Sequence, residues 1–140
     1  MKLVVDTNIL ISGSLWGGPP ARLVSGGLAG QFQMFLSLPM LLELRETLQR
    51  SRFAHRLVGK GETPETLAQR FRAACQEAAP ARITPPTALR DPDDVQVLSC
   101  AVGAEADAIV TGDKDLLTLK AFEGIPIIDA AEALKRLGIS

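Results

Sequence analysis

The chain has 140 residues, of which 46% are hydrophobic and 22% are charged. These values are typical of a globular protein and argue against disorder, and the length suits one ordinary domain with a buried core. The formal net charge of −1 excludes no class of partner, so the distribution of charge along the chain is more informative than its sum.

The N-terminal half alternates between short apolar runs and helical patterns. A β-branched run ends directly at Asp6, which predicts a buried first strand. Glycines and prolines at 17–20 break the chain, and Pro39 suits the first turn of a helix. The predicted elements are a strand at 2–5, a helix at 21–28, a strand at 33–37 and helices at 38–50 and 51–58.

The C-terminal half continues this alternation. Thr63 is a candidate N-cap, with Pro64 at the first helical position. The predicted elements are a helix from there to about residue 78, a strand at 81–84, a helix at 93–104, a strand at 108–110, a brief helix or turn at 114–119, a strand at 125–128 and a helix at 130–137. Apolar strands alternating with helices indicate a parallel sheet covered on both faces, and we expect one domain over 1–140.

Acidic residues follow two of the predicted strands. Asp6 ends the first strand, and Asp113 follows the strand at 108–110 after a Thr-Gly turn. In a parallel sheet, both would lie beyond the carboxyl ends of strands, where functional residues gather. Glu43 lies inside an apolar helix, where an uncompensated carboxylate is costly.

A third acidic group, Asp91, Asp93 and Asp94, opens a helix, where the helix dipole favours negative charge. Carboxylates that converge repel one another unless a cation compensates them. Hard divalent ions prefer such oxygen ligands, and a bound ion can activate water for in-line attack on a phosphate. The pattern therefore indicates metal-dependent phosphodiester hydrolysis.

Each acid also has a plain structural interpretation. Asp6 can simply end a strand, and Glu43 can be an exposed helix residue paired with Arg45. Asp113, Asp93 and Asp94 can be turn or N-cap residues. Asp115 has either a supporting role beside the metal ligands or none, as part of a solvated turn.

Positive charge is concentrated in the middle of the chain. Residues 45–90 contain nine Lys or Arg and four Glu, a net of +5, whereas the remainder has a net of −6. A basic segment beside acidic clusters suits a protein that attracts a phosphate backbone. The alternative is that these arginines lie on solvated helix faces or in ion pairs. Trp16 and the phenylalanines are candidates for stacking on bases, with core packing as the alternative.

Four sequence blocks together resemble the PIN-domain family, and within it the toxins of toxin–antitoxin pairs that are called VapC-like. The blocks are 4–8 (VVDTN), 38–44 (LPMLLEL), 90–94 (RDPDD) with 98–101 (LSCA), and 109–117 (IVTGDKDLL). The resemblance implies a three-layer α/β/α sandwich with a central parallel sheet of about five strands. It also implies an Mg²⁺- or Mn²⁺-dependent endoribonuclease that cleaves single-stranded RNA, a homodimer, and inhibition by a small antitoxin.

The resemblance further implies that four acids hold the metal, namely Asp6, Glu43, Asp94 and Asp113. Asn8 and Thr111 would orient them by hydrogen bonds. Asp94 is preferred as the third acid because it lies four residues before Leu98 in the helical pattern. Asp93 is its main rival and Asp91 suits a cap before Pro92, so Asp93 and Asp115 are assigned supporting roles.

Other functions fit less well. A non-catalytic PIN-like module that binds RNA or a partner would be expected to have lost acids, and all four are present. A phosphotransfer domain needs an acidic pair or a DxDxT motif after an early strand, and the glycines at 13, 17 and 18 do not form GxGxxG. We expect no signal peptide and no membrane segment. Cys75 and Cys100 suit free core thiols, and a cytoplasmic location is therefore predicted.

Overall fold

A computed structural model describes residues 1–139, which form eight helices and six strands. In chain order the elements are β1 (Lys2–Val5), α1 (Thr7–Leu15), α2 (Pro19–Leu28), β2 (Gln33–Leu36), α3 (Leu38–Leu48), α4 (Ser51–Gly59), α5 (Pro64–Ala74), β3 (Gln76–Glu77), α6 (Pro92–Ala104), β4 (Ala108–Val110), α7 (Lys114–Leu119), β5 (Ala121–Phe122), β6 (Ile125–Ile128) and α8 (Ala130–Leu137).

The strands form one sheet in the order β3-β2-β1-β4-β6-β5. All neighbours are parallel except β5, which pairs antiparallel with β6 at one edge. Leu3, Val4 and Val5 are all buried, which shows that helices cover both faces of the central strand. The predicted three-layer α/β/α architecture with about five parallel strands is confirmed.

Side-chain caps fix the starts of six helices, whereas α2 and α4 have none. The Ser37 hydroxyl accepts the Met40 N–H at 3.4 Å and so caps α3. The predicted cap Thr63 forms a reciprocal capping box with Thr66 at the start of α5. These local bonds place each capped helix at a defined point after the preceding strand or turn.

Helix α1 was not predicted from the sequence. Its apolar residues Ile9, Leu10, Ile11 and Leu15 are all buried and Asn8 is its one exposed residue, so the helix has no clear amphipathic period. Gly13 lies where α1 meets α2, and a Cβ there would collide with the carbonyl oxygen of Pro20. Close backbone packing therefore requires glycine in the interior of this helix.

Two predictions in the middle of the chain were wrong, namely the end of one helix and the presence of one strand. Helix α5 ends at Ala74 and not near residue 78, because the chain turns at Cys75 and adds β3 to the sheet beside β2. The predicted strand at 81–84 does not exist. Instead, Ala81 exchanges hydrogen bonds with Ser99, whose hydroxyl donates to the Ala81 carbonyl.

The segment before residue 82 also lies directly against Gly103 of α6. A Cβ at this glycine would overlap the carbonyl oxygen of Ala79. The absence of a side chain thus lets α6 approach the backbone that returns from β3.

Cys100 is buried and Cys75 is half-buried, and neither forms a disulfide within the described residues. Burial raises the pKa of the Cys75 thiol to about 12 and that of Cys100 to about 11, so both are protonated at neutral pH. No helix within 1–139 combines the length and apolar character needed to cross a membrane.

Candidate metal centre

Asp6 is held at the carboxyl end of the two central strands. Its own N–H donates to the Val110 carbonyl at 2.8 Å and so extends the β1–β4 pairing by one bond. The Thr111 hydroxyl donates to Asp6 Oδ2 at 2.7 Å, and the Asn8 backbone N–H donates to Asp6 Oδ1 at 3.4 Å. Because Asp6 is only 4% exposed, these bonds fix its orientation.

The environment of Asp6 disfavours its charged form. Burial raises the pKa of Asp6, the hydrogen bonds from Thr111 and Asn8 oppose this rise, and the negative charge of Asp113 adds to it. A cation near Asp6 would reverse the balance by stabilising the carboxylate.

Asp113 lies beside Asp6 because β4 neighbours β1. It caps α7, and its Oδ1 accepts the Asp115 N–H at 2.8 Å and the Leu116 N–H at 3.3 Å. The Asp113 N–H donates to the Thr111 hydroxyl oxygen at 3.0 Å. Thr111 therefore links the two acids, since the same hydroxyl accepts from one residue and donates to the other.

Asp94 lies in the first turn of α6. Asp91 caps this helix and accepts the Asp93 N–H at 2.9 Å. Asp94 is 5% exposed, whereas Asp93 is exposed. Asp94, Asp113 and Asp115 each present a carboxylate oxygen, and these three atoms lie within 4.8 Å of one another. The pKa of Asp94 is raised to about 7. The largest cause is burial, and the next is repulsion by neighbouring acids, chiefly Asp113.

Glu43 approaches the site from α3. The Thr7 hydroxyl donates to Glu43 Oε1 at 3.0 Å. Burial is the main cause that raises the pKa of Glu43 to about 7. The Thr7 hydrogen bond lowers this pKa, and the negative charges of Asp93 and Asp6 raise it.

A cleft lies where these elements meet. Among the predicted site residues, it is lined by Asp6, Asn8, Glu43, Asp93 and Asp94. Asp113 and Asp115 join the group through Asp94. The four predicted metal-site acids thus come from four distant parts of the chain to one place. Asn8 contributes its backbone N–H, and its side chain is exposed.

Two buried oxygens without hydrogen-bond partners show whether a metal ion fits the cleft. Within residues 1–139, Glu43 Oε2 and Asp94 Oδ2 are the buried side-chain oxygens that have no hydrogen-bond partner. A buried, unpartnered carboxylate oxygen is costly. A divalent cation with oxygen ligands would satisfy both atoms and relieve the repulsion among the acids. The donor set therefore fits a hard divalent ion.

Sequence reasoning missed Thr7, which lies beside the cleft, and Thr47 and Arg50, which line it. Thr7 orients Glu43, and its place beside Asp6 in the Asp-Thr-Asn motif was the available signal. Arg50 also lines the cleft, and its charge lowers the pKa of Asp93, although burial and Asp91 keep that pKa raised. Nothing at the end of a predicted helix distinguishes Arg50 from other surface arginines.

The chain was compared with protein families and with curated proteins. A family model described as "PIN domain" matches residues 2–115. No curated protein matches the chain. The matched range includes all the elements that supply the acidic cleft, and it covers most of the sequence. The chain therefore belongs to the PIN-domain family, a nuclease-type fold whose members are generally nucleases.

Proposed function

We propose that this protein is an Mg²⁺- or Mn²⁺-dependent endoribonuclease that hydrolyses single-stranded RNA. The observation that carries the proposal is the pair of buried, unpartnered oxygens, Glu43 Oε2 and Asp94 Oδ2, in a cleft lined by acids. A cluster without a cation would be destabilising for the fold, so it is best explained by ion binding.

Asp6, Glu43, Asp94 and Asp113 would hold the metal. Asp94 is a better ligand than Asp93 because it is buried and shares the three-oxygen group with Asp113. Asp115 has a free carboxylate at the mouth of the same group and takes a supporting role. Asp93 is exposed and influences Glu43 through its charge.

Three groups of the chain hold the acids in place. Thr111 fixes Asp6 and Asp113, Thr7 fixes Glu43, and the Asn8 N–H holds the second oxygen of Asp6. Such support lowers the reorganisation needed when substrate arrives. Burial of Asp6 and Asp94 keeps bulk water from screening the charges of the site.

The reaction needs no nucleophilic side chain. A divalent ion, when bound, would lower the pKa of a water and offset negative charge on the phosphate. Water oxygen adds to phosphorus in line and gives up a proton to solvent, and the bond from phosphorus to the leaving ribose oxygen breaks as that oxygen takes up a proton. His55 is exposed on α4, outside the residues that line the cleft, and is not assigned a role.

The test is cleavage of single-stranded RNA by purified protein in Mn²⁺, in Mg²⁺ and in EDTA. We expect cleavage with either metal, none in EDTA, and a loss of at least about 100-fold in Asp6→Asn and Glu43→Gln. Glu46→Gln is the matched control, because Glu46 is an exposed acid on the same helix as Glu43. Cleavage that persists in EDTA would refute the metal site. Tight RNA binding without cleavage would favour the non-catalytic RNA-binding module instead.

The resemblance to VapC-like toxins supports a finer proposal, in which the protein is the toxin of a toxin–antitoxin pair and acts in the cytoplasm as a homodimer. A protein partner has an apolar surface available, since Leu38 and Leu42 on α3 are exposed above a groove between α3 and α5. Co-purification with the product of an adjacent small gene, and light scattering of the protein alone, would test the antitoxin and the dimer separately.

A further inference from the structure

Three arginines at or in α4 form no ion pair within residues 1–139. Arg50 precedes the helix, and Arg52 and Arg56 lie within it. Ion pairs in the described part of the chain are limited to Arg70–Glu62 and Arg136–Glu132. All three arginines are exposed, so their positive charge is available to an anionic ligand.

Trp16 lies beside these arginines and is 45% exposed. The Arg56 guanidinium lies over its ring at 5.0 Å from the centroid, and the Phe53 ring meets it edge-on at 6.1 Å. Arg56 Nε also donates to the Leu15 carbonyl at 2.7 Å, which fixes the guanidinium in place. By contrast, Phe53 is buried, so Trp16 supplies the accessible ring surface of this cluster.

This cluster is joined to the acidic cleft in two ways. Arg50 itself lines the cleft. Helix α1 begins beside Asp6 and ends just before Trp16, and its nine residues span about 13 Å. The surface formed by Arg50, Arg52, Arg56 and Trp16, here named the Trp16 strip, therefore extends from the cleft over a length of a few nucleotides.

We propose that the Trp16 strip binds single-stranded RNA outside the cleft, with one base stacked on Trp16 and the arginines against the phosphates. The proposal rests on the proposed function, since it assigns a path to the same substrate. Positive groups interleaved with an accessible aromatic ring are the usual means of binding a single strand. A duplex keeps its base faces covered, so it cannot use the ring.

The same contacts also pin α1 to α4, and a purely structural role must be distinguished from RNA binding. Trp16 is the single tryptophan and the chain has no tyrosine, so tryptophan fluorescence reports this position alone. A base that stacks on the ring quenches this emission, whereas a structural contact is unaffected by added RNA.

The first measurement is the fluorescence of wild-type protein in EDTA, titrated with an oligouridylate of about 12 nucleotides. We expect saturable quenching by this strand, and little by the matching duplex or by inorganic polyphosphate. By a non-optical binding assay, Trp16→Ala should weaken binding by about 5- to 150-fold, and Trp16→Phe should retain most of it. Arg52→Gln should reduce the slope of log affinity against log salt by about 0.7. Arg22→Gln, an exposed charge on α2 outside the strip, should leave the affinity within about twofold of the wild-type value.

The second measurement is cleavage in Mn²⁺. Trp16→Ala should raise KM for the oligonucleotide by a similar factor, leave kcat unchanged, and leave cleavage of a dinucleotide unaffected. Quenching without cleavage in any metal would support RNA binding by the Trp16 strip and would refute the proposed nuclease activity. Cleavage without quenching, together with an unchanged KM in Trp16→Ala, would refute RNA binding by the Trp16 strip. The proposed nuclease activity would then be supported.

Discussion

Replacing Asp94 by Asn should stabilise the metal-free protein at neutral and higher pH. Asp94 is 5% exposed, one of its oxygens is unpartnered, and its pKa is raised from 3.8 to about 7. Keeping it charged above pH 7 therefore costs folding free energy. Asparagine has nearly the same shape and carries no charge, so the substitution removes this cost.

The magnitude follows from the shift in pKa. A rise from 3.8 to about 7 corresponds to about 4 kcal/mol at 1.36 kcal/mol per pH unit. Solvent screening from the open side of the cleft, and repulsion shared with Asp113, reduce the expected gain to about 2 kcal/mol. Because the pKa of Asp94 is raised in the folded state, the folded wild type is at its most stable while Asp94 is protonated. It loses that stability as the pH rises from about 4 through about 7. The advantage of Asp94→Asn should therefore be absent near pH 4 and complete near pH 8.

The assay is urea unfolding in EDTA over that pH range, repeated with saturating Mn²⁺. Metal should reverse the order and make the wild type the more stable protein. Asp93→Asn is the matched control, since Asp93 is the adjacent but exposed acid, and it should change the free energy of unfolding by less than about 0.5 kcal/mol. If Asp94→Asn is less stable than the wild type in EDTA at about pH 8, the interpretation of Asp94 as an electrostatically strained metal ligand is wrong.

Other changes have equally definite outcomes. Thr111→Val removes the hydroxyl that links Asp6 and Asp113, so kcat/KM should fall by about 10- to 150-fold in steady-state cleavage, and a change below twofold would contradict this role. Gly103→Ala should lower the free energy of unfolding by more than about 2 kcal/mol in urea, because the new Cβ meets the Ala79 carbonyl. Alanine would otherwise favour the helix by about 1 kcal/mol, so a more stable variant would refute the contact. Mn²⁺ at about 100 times its Kd should stabilise the wild type by about 2.7 kcal/mol in thermal unfolding, and Asp113→Asn should gain much less; an unchanged wild-type Tm would exclude the site.

The sequence contained much of the architecture because strands and caps leave local signals. The apolar runs before Asp6 and up to Val110 predicted two strands of a parallel sheet, and the structure adds that these strands are adjacent. Thr63 predicted the start of α5, where the capping box is found. In each case the signal lies within a few residues of the feature that it specifies.

The features that could not be predicted depend on tertiary contacts. The apolar residues of helix α1 are buried on more than one side, so the helix lacks the period that would have identified it. Strands β3 and β5 have two residues each, too few for any alternation. Thr7 acquires its role from α3, which brings Glu43 to it across 36 residues of sequence.

The hydrogen bond between Thr111 and Asp6 joins residues 105 positions apart. Asp6 is therefore synthesised well before Thr111 and Asp113. Strand β1 gains its neighbour β4 only after α6 has been made. The acidic cluster therefore cannot be complete until β4 has been made, and a product that stops before β4 has Asp6, Glu43 and Asp94 but lacks Asp113. The order of the strands thus makes the proposed metal site a late product of synthesis, since its four acids come together only when β4 has paired with β1.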